Sequence, residues 1–74
     1  MKGGAFMRKF GRLREKIKEL FGNQKSFAHA MNMNVSTLNF KLNSKAEWTL
    51  PEIEKACELL HISVDKVKDY FFYE

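Results

Sequence analysis

The sequence predicts an all-α protein, a compact bundle of five short helices. Apolar residues recur at three- and four-residue steps, as they do along one face of a helix. No segment alternates apolar and polar residues like a half-buried strand, and no hairpin turn of the Asn-Gly type occurs. The chain has 74 residues, of which 45% are hydrophobic, so we expect one domain with a small core.

The first helix is predicted for residues 9–21, and Gly22 is expected to end it. Its apolar residues recur at helical spacing, while most of its other positions are charged and predominantly basic. One face of this helix should therefore lie against the core, and the other should be a basic surface. The apolar residues are Phe10, Leu13, Ile17, Leu20 and Phe21.

The second and third helices are predicted as a closely spaced pair. Residues 24–31 follow Asn23 and residues 35–42 follow Asn34, and asparagine is a favoured N-cap. The three residues between the helices allow only a tight connection. There Asn32 tolerates the left-handed backbone conformation better than other non-glycine residues do. Two short helices joined in this way have the geometry of a helix-turn-helix.

The fourth helix has a well-defined start. Residues 49–52, Thr-Leu-Pro-Glu, form a capping box with proline in the first helical turn. Its expected apolar face consists of Leu50, Ile53, Cys57 and Leu60. A fifth helix is predicted after Ser63, a suitable N-cap. Its expected apolar side consists of Val64, Val67, Tyr70 and Phe71.

Charge is distributed unevenly along the chain. Residues 1–45 contain ten basic and two acidic residues, a net charge of +8, whereas residues 46–74 contain three basic and seven acidic residues, a net charge of −4. This asymmetry is typical of a fold that presents one side to a polyanion. A basic helix that simply faces solvent is the alternative interpretation.

Several classes of protein are not expected. No apolar run approaches the roughly 20 residues that span a bilayer. The first ten residues also lack the apolar stretch of a secretion signal. We therefore expect a cytoplasmic protein with no membrane partner. Residues 1–6 are interpreted as a disordered N-terminal segment or a cloning remnant. Residues 7–74 then form the domain.

Catalytic and metal-binding patterns are missing from the sequence. Cys57 is the single cysteine and is interpreted as a core thiol, so no disulfide framework is expected. His29 and His61 have no convincing partners, and Cys57 with His61 is an incomplete ligand set for zinc. There is no glycine-rich phosphate loop. We therefore expect no enzyme activity, no metal, no cofactor and no small-molecule substrate.

Residues 24–43 resemble the helix-turn-helix of the phage Cro and CI-like repressors, which have the lambda-repressor-like fold. The positions that match this family's pattern are Gln24, Phe27, Ala28, Met31, Met33, Thr37 and Leu38. Two positions depart from it: Asn32 stands where the family usually has glycine, and Asn34 stands where it usually has serine or threonine. Both changes are physically mild. The resemblance covers roughly residues 10–72.

This resemblance implies a phage or prophage transcriptional regulator that binds double-stranded operator DNA as a homodimer and blocks a promoter. The helix over residues 35–42 would then lie in the major groove. Counting 100° per residue from the inward-facing Leu38 places Ser36 and Phe40 about 160–200° away, opposite the core. Asn39 lies on the flank, where it can form two hydrogen bonds to adenine. Val35 is nearer the core, so it can either reach a thymine methyl or have a structural role.

Phosphate contacts, which position the protein without reading sequence, are expected from Gln24, Lys25, Lys41, Asn43, Ser44 and Lys45. The complete set of expected DNA-binding residues is Gln24, Lys25, Asn34, Val35, Ser36, Thr37, Asn39, Phe40, Lys41, Asn43, Ser44 and Lys45. On the first helix, Arg8, Arg12 and Arg14 can add to the electrostatic attraction. For each basic residue, plain solvation is the alternative.

Phe40 does not fit the DNA-binding interpretation easily, because its ring forms no conventional hydrogen bond. It can pack on thymine methyls or sugars, fold back against Trp48, or belong to a protein interface. The last possibility supports a second hypothesis: an antirepressor or modulator that uses the same fold to bind another regulator. A self-association surface is also predicted at the aromatic C-terminus, which consists of Tyr70, Phe71, Phe72 and Tyr73.

Overall fold

The computed structural model describes residues 10–72, which form five α-helices and no strand. The all-α prediction is confirmed. The helices are α1 (Gly11–Phe21), α2 (Gln24–Ala30), α3 (Val35–Leu42), α4 (Leu50–Leu60) and α5 (Val67–Phe71). A short 3-10 segment, Val64–Lys66, leads into α5. No helix in the described part of the chain is long and apolar enough to cross a membrane.

The core forms where α1 packs against α2, α4 and α5, while α3 packs against α2. It collects apolar side chains from every α-helix, because each helix is too short to bury its own apolar face. Its buried residues are Phe10, Leu13, Ile17, Phe27, Ala28, Met31, Leu38, Leu42, Ile53, Ala56, Leu60, Ile62 and Phe71. The apolar face of α1 was predicted correctly in this core, except that Leu20 is exposed and Phe21 is half-buried.

Most of the predicted helix ends are confirmed. Gly22 ends α1 with φ of 86°, and the Asn23 side chain accepts a hydrogen bond of 2.8 Å from the Ser26 amide at the start of α2. The Asn34 prediction needs a correction. Asn34 stands at the N-cap of α3 with extended backbone, but its side chain accepts no capping hydrogen bond. Ser63 likewise makes no side-chain cap to the 3-10 segment.

Besides Leu20, two more residues of the predicted apolar faces are exposed. Leu50, at the first position of α4, is 67% exposed, because the ring of Trp48 closes this end of the core against Phe10 and Phe71. Val64 is 89% exposed. It lies in a 3-10 turn rather than in α5, and the tighter spacing of that turn takes it off the apolar side of the helix.

Candidate functional site

The helix-turn-helix is formed by α2, α3 and the turn between them. The turn closes because Asn32 adopts the left-handed conformation, with φ of 61°, as predicted from its residue type. The Met33 amide then donates a hydrogen bond of 2.9 Å to the Ala28 carbonyl, which ties the turn back to α2. Ala28 and Leu38 are both buried at the packed face of the pair. This packing directs the opposite side of α3 to solvent.

The outer face of α3 consists of Val35, Ser36, Asn39 and Phe40, and all four residues are exposed. Phe40 is 54% exposed. It does not fold back against Trp48, whose ring contacts are with Phe10 and Phe71, so that alternative is removed. The outer face therefore offers an apolar ring beside short polar groups.

Lys41 points inward, and this corrects its assignment as a phosphate contact. Its side chain is the one charged group that is buried among residues 10–72, with 6% of the residue exposed. The ammonium donates a hydrogen bond of 2.8 Å to the Glu47 carbonyl and lies 2.9 Å from a carboxylate oxygen of Glu52. A cation held by two internal partners does not reach a phosphate, so Lys41 does not belong to the candidate surface.

Glu52 joins this ion pair to the capping box of α4. Its carboxylate accepts a hydrogen bond of 2.9 Å from the Thr49 amide, and its own amide donates to the Thr49 hydroxyl at 3.3 Å. Burial alone would raise the pKa of Glu52. The Thr49 amide and the Lys41 ammonium outweigh that effect and lower the pKa below its ordinary value of 4.5. One carboxylate thus links the end of α3 to the start of α4.

Arg14 and Asn43 also have internal partners. The Arg14 guanidinium donates hydrogen bonds of 2.8 Å to the Leu42 carbonyl and 2.9 Å to the Asn43 side-chain oxygen. The Asn43 amide nitrogen donates to the Asn39 carbonyl at 2.9 Å. These contacts satisfy the C-terminal end of α3 and hold it against α1. Arg14 therefore has a structural role that the predicted electrostatic role did not include.

The remaining predicted residues surround α3. Lys25, Asn34 and Lys45 are exposed, while Gln24, Thr37 and Ser44 are half-buried. A shallow polar pocket of about 390 Å³ lies at the turn and includes Asn34 and Thr37 in its lining. Arg12 is exposed on α1, and Arg8 lies outside the described residues. Most of the predicted set is thus at least partly exposed, at the start of α2, on α3 and just after the end of α3.

The residues weighed for catalysis are dispersed. His29 is exposed on α2, and His61 is exposed at the C-cap of α4. Cys57 is half-buried rather than fully in the core, and burial raises the pKa of its thiol, which lowers its reactivity at neutral pH. Within residues 10–72, no group of three or more potential ligands could hold a metal ion.

The fold and its outer face define a small helix-turn-helix protein, and comparison with known proteins gives its family. The chain belongs to DUF739, a family of proteins of unknown function whose model matches residues 6–74. It is similar to the solution structure of the modulator of repression of the temperate bacteriophage TP901-1 from Lactococcus lactis. The two proteins are 36% identical over 93% of each chain, with a TM-score of 0.80. No curated protein sequence matches the chain.

Similarity to a phage regulatory protein is therefore confirmed, whereas membership of the Cro and CI-like repressors stays a prediction.

The internal roles of Lys41 and Arg14 were not predicted from the sequence. The sequence does contain a signal for Lys41. It lies three residues after the inward-facing Leu38, a rotation of about 300° around the helix, which leaves it only about 60° from the inward direction. No comparable signal marks Arg14, whose partners lie 28 and 29 residues away along the chain.

Proposed function

We propose that this chain is a phage- or prophage-encoded modulator of repression that acts in the cytoplasm by binding another transcriptional regulator. The observation that carries this proposal is the similarity to the TP901-1 modulator of repression, with 36% identity across 93% of both chains. Identity at this level over the whole fold favours a shared mode of action more than fold likeness alone does.

The surface of α3 supports a protein partner. Phe40 is a large exposed ring at the centre of the outer face, with exposed Val35 on the same helix. Aromatic residues of this kind are enriched at the centres of protein interfaces. Since the Lys41 ammonium is held internally, α3 also presents fewer phosphate contacts than its sequence predicts. The outer face of α3 is therefore the proposed contact surface for the regulator.

This proposal is tested by mixing the purified chain with the helix-turn-helix repressor encoded in the same phage or prophage genome. Titration calorimetry should show a saturable complex, and Phe40→Ala should weaken it by about tenfold or more, because truncation removes the apolar anchor. Leu20→Ala is the matched control, since Leu20 is also an exposed apolar residue but lies on α1. If Phe40→Ala and Leu20→Ala bind equally well, α3 is not the contact surface.

Direct binding of operator DNA is the second candidate function. It is favoured by the outward positions of Ser36 and Asn39. It is also favoured by the exposure of Lys25, near the start of α2, and of Lys45, just after the end of α3. The Asn39 side chain has no hydrogen-bond partner among the described residues, so it is available to a base edge. In this case the chain alone should select a palindromic motif from a random DNA library. Its affinity should fall steeply between about 50 and 200 mM salt, and Asn39→Ala should relax base preference by about 1–3 kcal/mol.

A further inference from the structure

The C-terminal end of α3 is closed by hydrogen bonds to each of its last four carbonyl groups. These carbonyls have no partner within the helix, so their donors come from outside it. The last of them, on Leu42, accepts a bond of 2.8 Å from the Arg14 guanidinium, which ties the helix end to α1. The other three are closed locally: the backbone amides of Asn43, Ser44 and Lys45 donate to the carbonyls of Asn39, Lys41 and Phe40, respectively.

The guanidinium of Arg14 is also linked to the outer face of α3 through one intermediate side chain. The nitrogen that bonds to Leu42 donates a second hydrogen bond of 2.9 Å to the Asn43 side-chain oxygen, and the Asn43 amide nitrogen donates to the Asn39 carbonyl at 2.9 Å. Asn39 and Phe40 are exposed residues in this last turn of the helix. A positive charge beside the partially negative end of a helix strengthens such bonds. Arg14 therefore supports the outer face from the end of the helix.

These hydrogen bonds fix a direction that apolar packing leaves loose. Among the helices, α3 packs mainly against α2, and its buried Leu38 and Leu42 hold its inner side in the core. Apolar burial is non-directional, whereas a hydrogen bond weakens steeply as its angle changes. The Lys41 ammonium ties the same turn to Glu52 on α4. Arg14 supplies the corresponding tie to α1.

We propose that Arg14 is a positioning residue for the contact surface on α3. It holds the last turn in the direction in which Asn39 and Phe40 meet the partner, and it does not touch the partner itself. The proposal rests on the proposed function, in which the partner is another regulator. A binding residue needs this kind of support, because an anchor ring that is displaced by a fraction of its contact distance loses much of its packing.

The first experiment measures the direction of α3 in the free, full-length protein. Residual dipolar couplings of the backbone N–H groups, measured by NMR in a weakly aligning medium, report how each helix is oriented. Arg14→Met keeps an apolar stem but removes both hydrogen bonds. In this variant we expect the couplings of residues 39–43 to depart from the wild-type arrangement, while those of α1 and α4 still fit it.

Arg12→Met is the matched control for the dipolar couplings. It removes the same charge from an exposed arginine two residues earlier on α1, and it should leave every helix in the wild-type arrangement. If the couplings of α3 in Arg14→Met also fit the wild-type arrangement, Arg14 does not position the helix and the proposal is overturned.

The second experiment measures affinity for the repressor encoded in the same genome, at a temperature at which thermal unfolding shows every variant to be folded. Arg14→Met should weaken the complex by about fivefold, and Arg12→Met by less than about twofold. Ile53→Val, which removes one buried methylene on α4, lowers stability away from α3 and should bind like the wild type. A loss in Arg12→Met equal to that in Arg14→Met would assign the effect to charge. An equal loss in Ile53→Val would assign it to stability, and either result overturns the proposal.

A double-mutant cycle separates support of α3 from direct contact with the partner. Asn43→Ala removes the side chain that links Arg14 to the Asn39 carbonyl. If the two side chains act as one chain of hydrogen bonds, the double variant should bind more tightly than the product of the two single losses predicts. Losses that simply multiply would mean that each side chain touches the partner separately, which contradicts a positioning role.

The outcomes distinguish this proposal from the proposed function. Wild-type affinity in folded Arg14→Met overturns the positioning role and leaves the proposed function intact. Failure of the wild type to bind the repressor overturns the proposed function, while the dipolar couplings of the free protein still test whether Arg14 sets the direction of α3.

Discussion

Lys41 illustrates how one buried side chain decides which face of a helix is available. It lies on α3 between the exposed Phe40 and the buried Leu42, and its ammonium crosses to the Glu47 carbonyl and the Glu52 carboxylate. A buried cation is tolerated only when hydrogen bonds and an opposite charge replace its lost hydration. The pair is therefore a structural link between α3 and α4, and it removes a positive charge from the outer surface.

Loss of this link should destabilise the fold. Lys41→Ala leaves the Glu47 carbonyl and part of the Glu52 carboxylate without their donor, so we expect the free energy of unfolding to fall by about 1–3 kcal/mol. Urea denaturation measures the change. Lys45→Ala, at an exposed lysine four residues later, should change the free energy by less than about 0.5 kcal/mol. Equal stability of the two variants would mean that the ion pair contributes nothing.

Glu52 should make stability depend on pH. Its pKa is lowered in the folded protein, so the folded state holds the proton less tightly than the unfolded state does. The resulting stabilisation is present above the ordinary pKa of 4.5 and is lost as the pH falls through the lower folded value. Denaturation curves at about pH 6 and about pH 3 should show that Glu52→Gln differs from the wild type at the higher pH and approaches it at the lower one. A constant difference would assign the effect to packing.

Among the elements, α2 and α3 depend on the turn between them. Asn32 holds the left-handed conformation that allows Met33 to bond back to Ala28. This conformation costs asparagine less than other non-glycine residues, and it costs glycine least. The departure from the glycine that is usual in the Cro and CI-like repressors is thus compatible with the same turn, and the identity of this residue affects stability rather than geometry.

Two substitutions at this turn separate backbone strain from loss of a side chain. Asn32→Ala should lower the free energy of unfolding by about 1 kcal/mol, because alanine is strained at positive φ. Asn32→Gly also removes the side chain but should leave stability unchanged or slightly higher. Thermal or chemical denaturation of both variants checks this expectation. A comparable loss in the two would show that the Asn32 side chain, rather than the backbone conformation, supports the turn.

In the molecule as a whole, the C-terminal aromatic residues contribute more to the core, and less to a self-association surface, than was predicted. Phe71 is buried and packs edge-on against Trp48, so it is not available to a second copy. Tyr70 is half-buried, Phe72 is 47% exposed, and Tyr73 lies outside the described residues. The predicted homodimer contact therefore loses Phe71 but keeps Phe72, Tyr73 and part of Tyr70, and it stays a prediction.

Sedimentation equilibrium tests this narrower dimer contact. If Phe72 contributes to self-association, Phe72→Ser should shift the chain towards monomer, because the substitution removes an exposed apolar ring without emptying the core. Val64→Ser is the matched control, as Val64 is also exposed and apolar. An unchanged distribution between monomer and dimer in Phe72→Ser would place any dimer contact elsewhere.

The five helices, the turn at Asn32, the capping box at Thr49 and most of the core could be predicted from the sequence, because these features depend on residue spacing and on local hydrogen bonds. Only the packing of the helices shows which of the predicted surface residues are available to a partner. Lys41 and Arg14 are engaged by groups on other parts of the chain, and the half-buried Trp48 has its indole nitrogen withdrawn from solvent. A long side chain can bond to groups that are distant along the sequence, and those groups come close to it only when the helices pack.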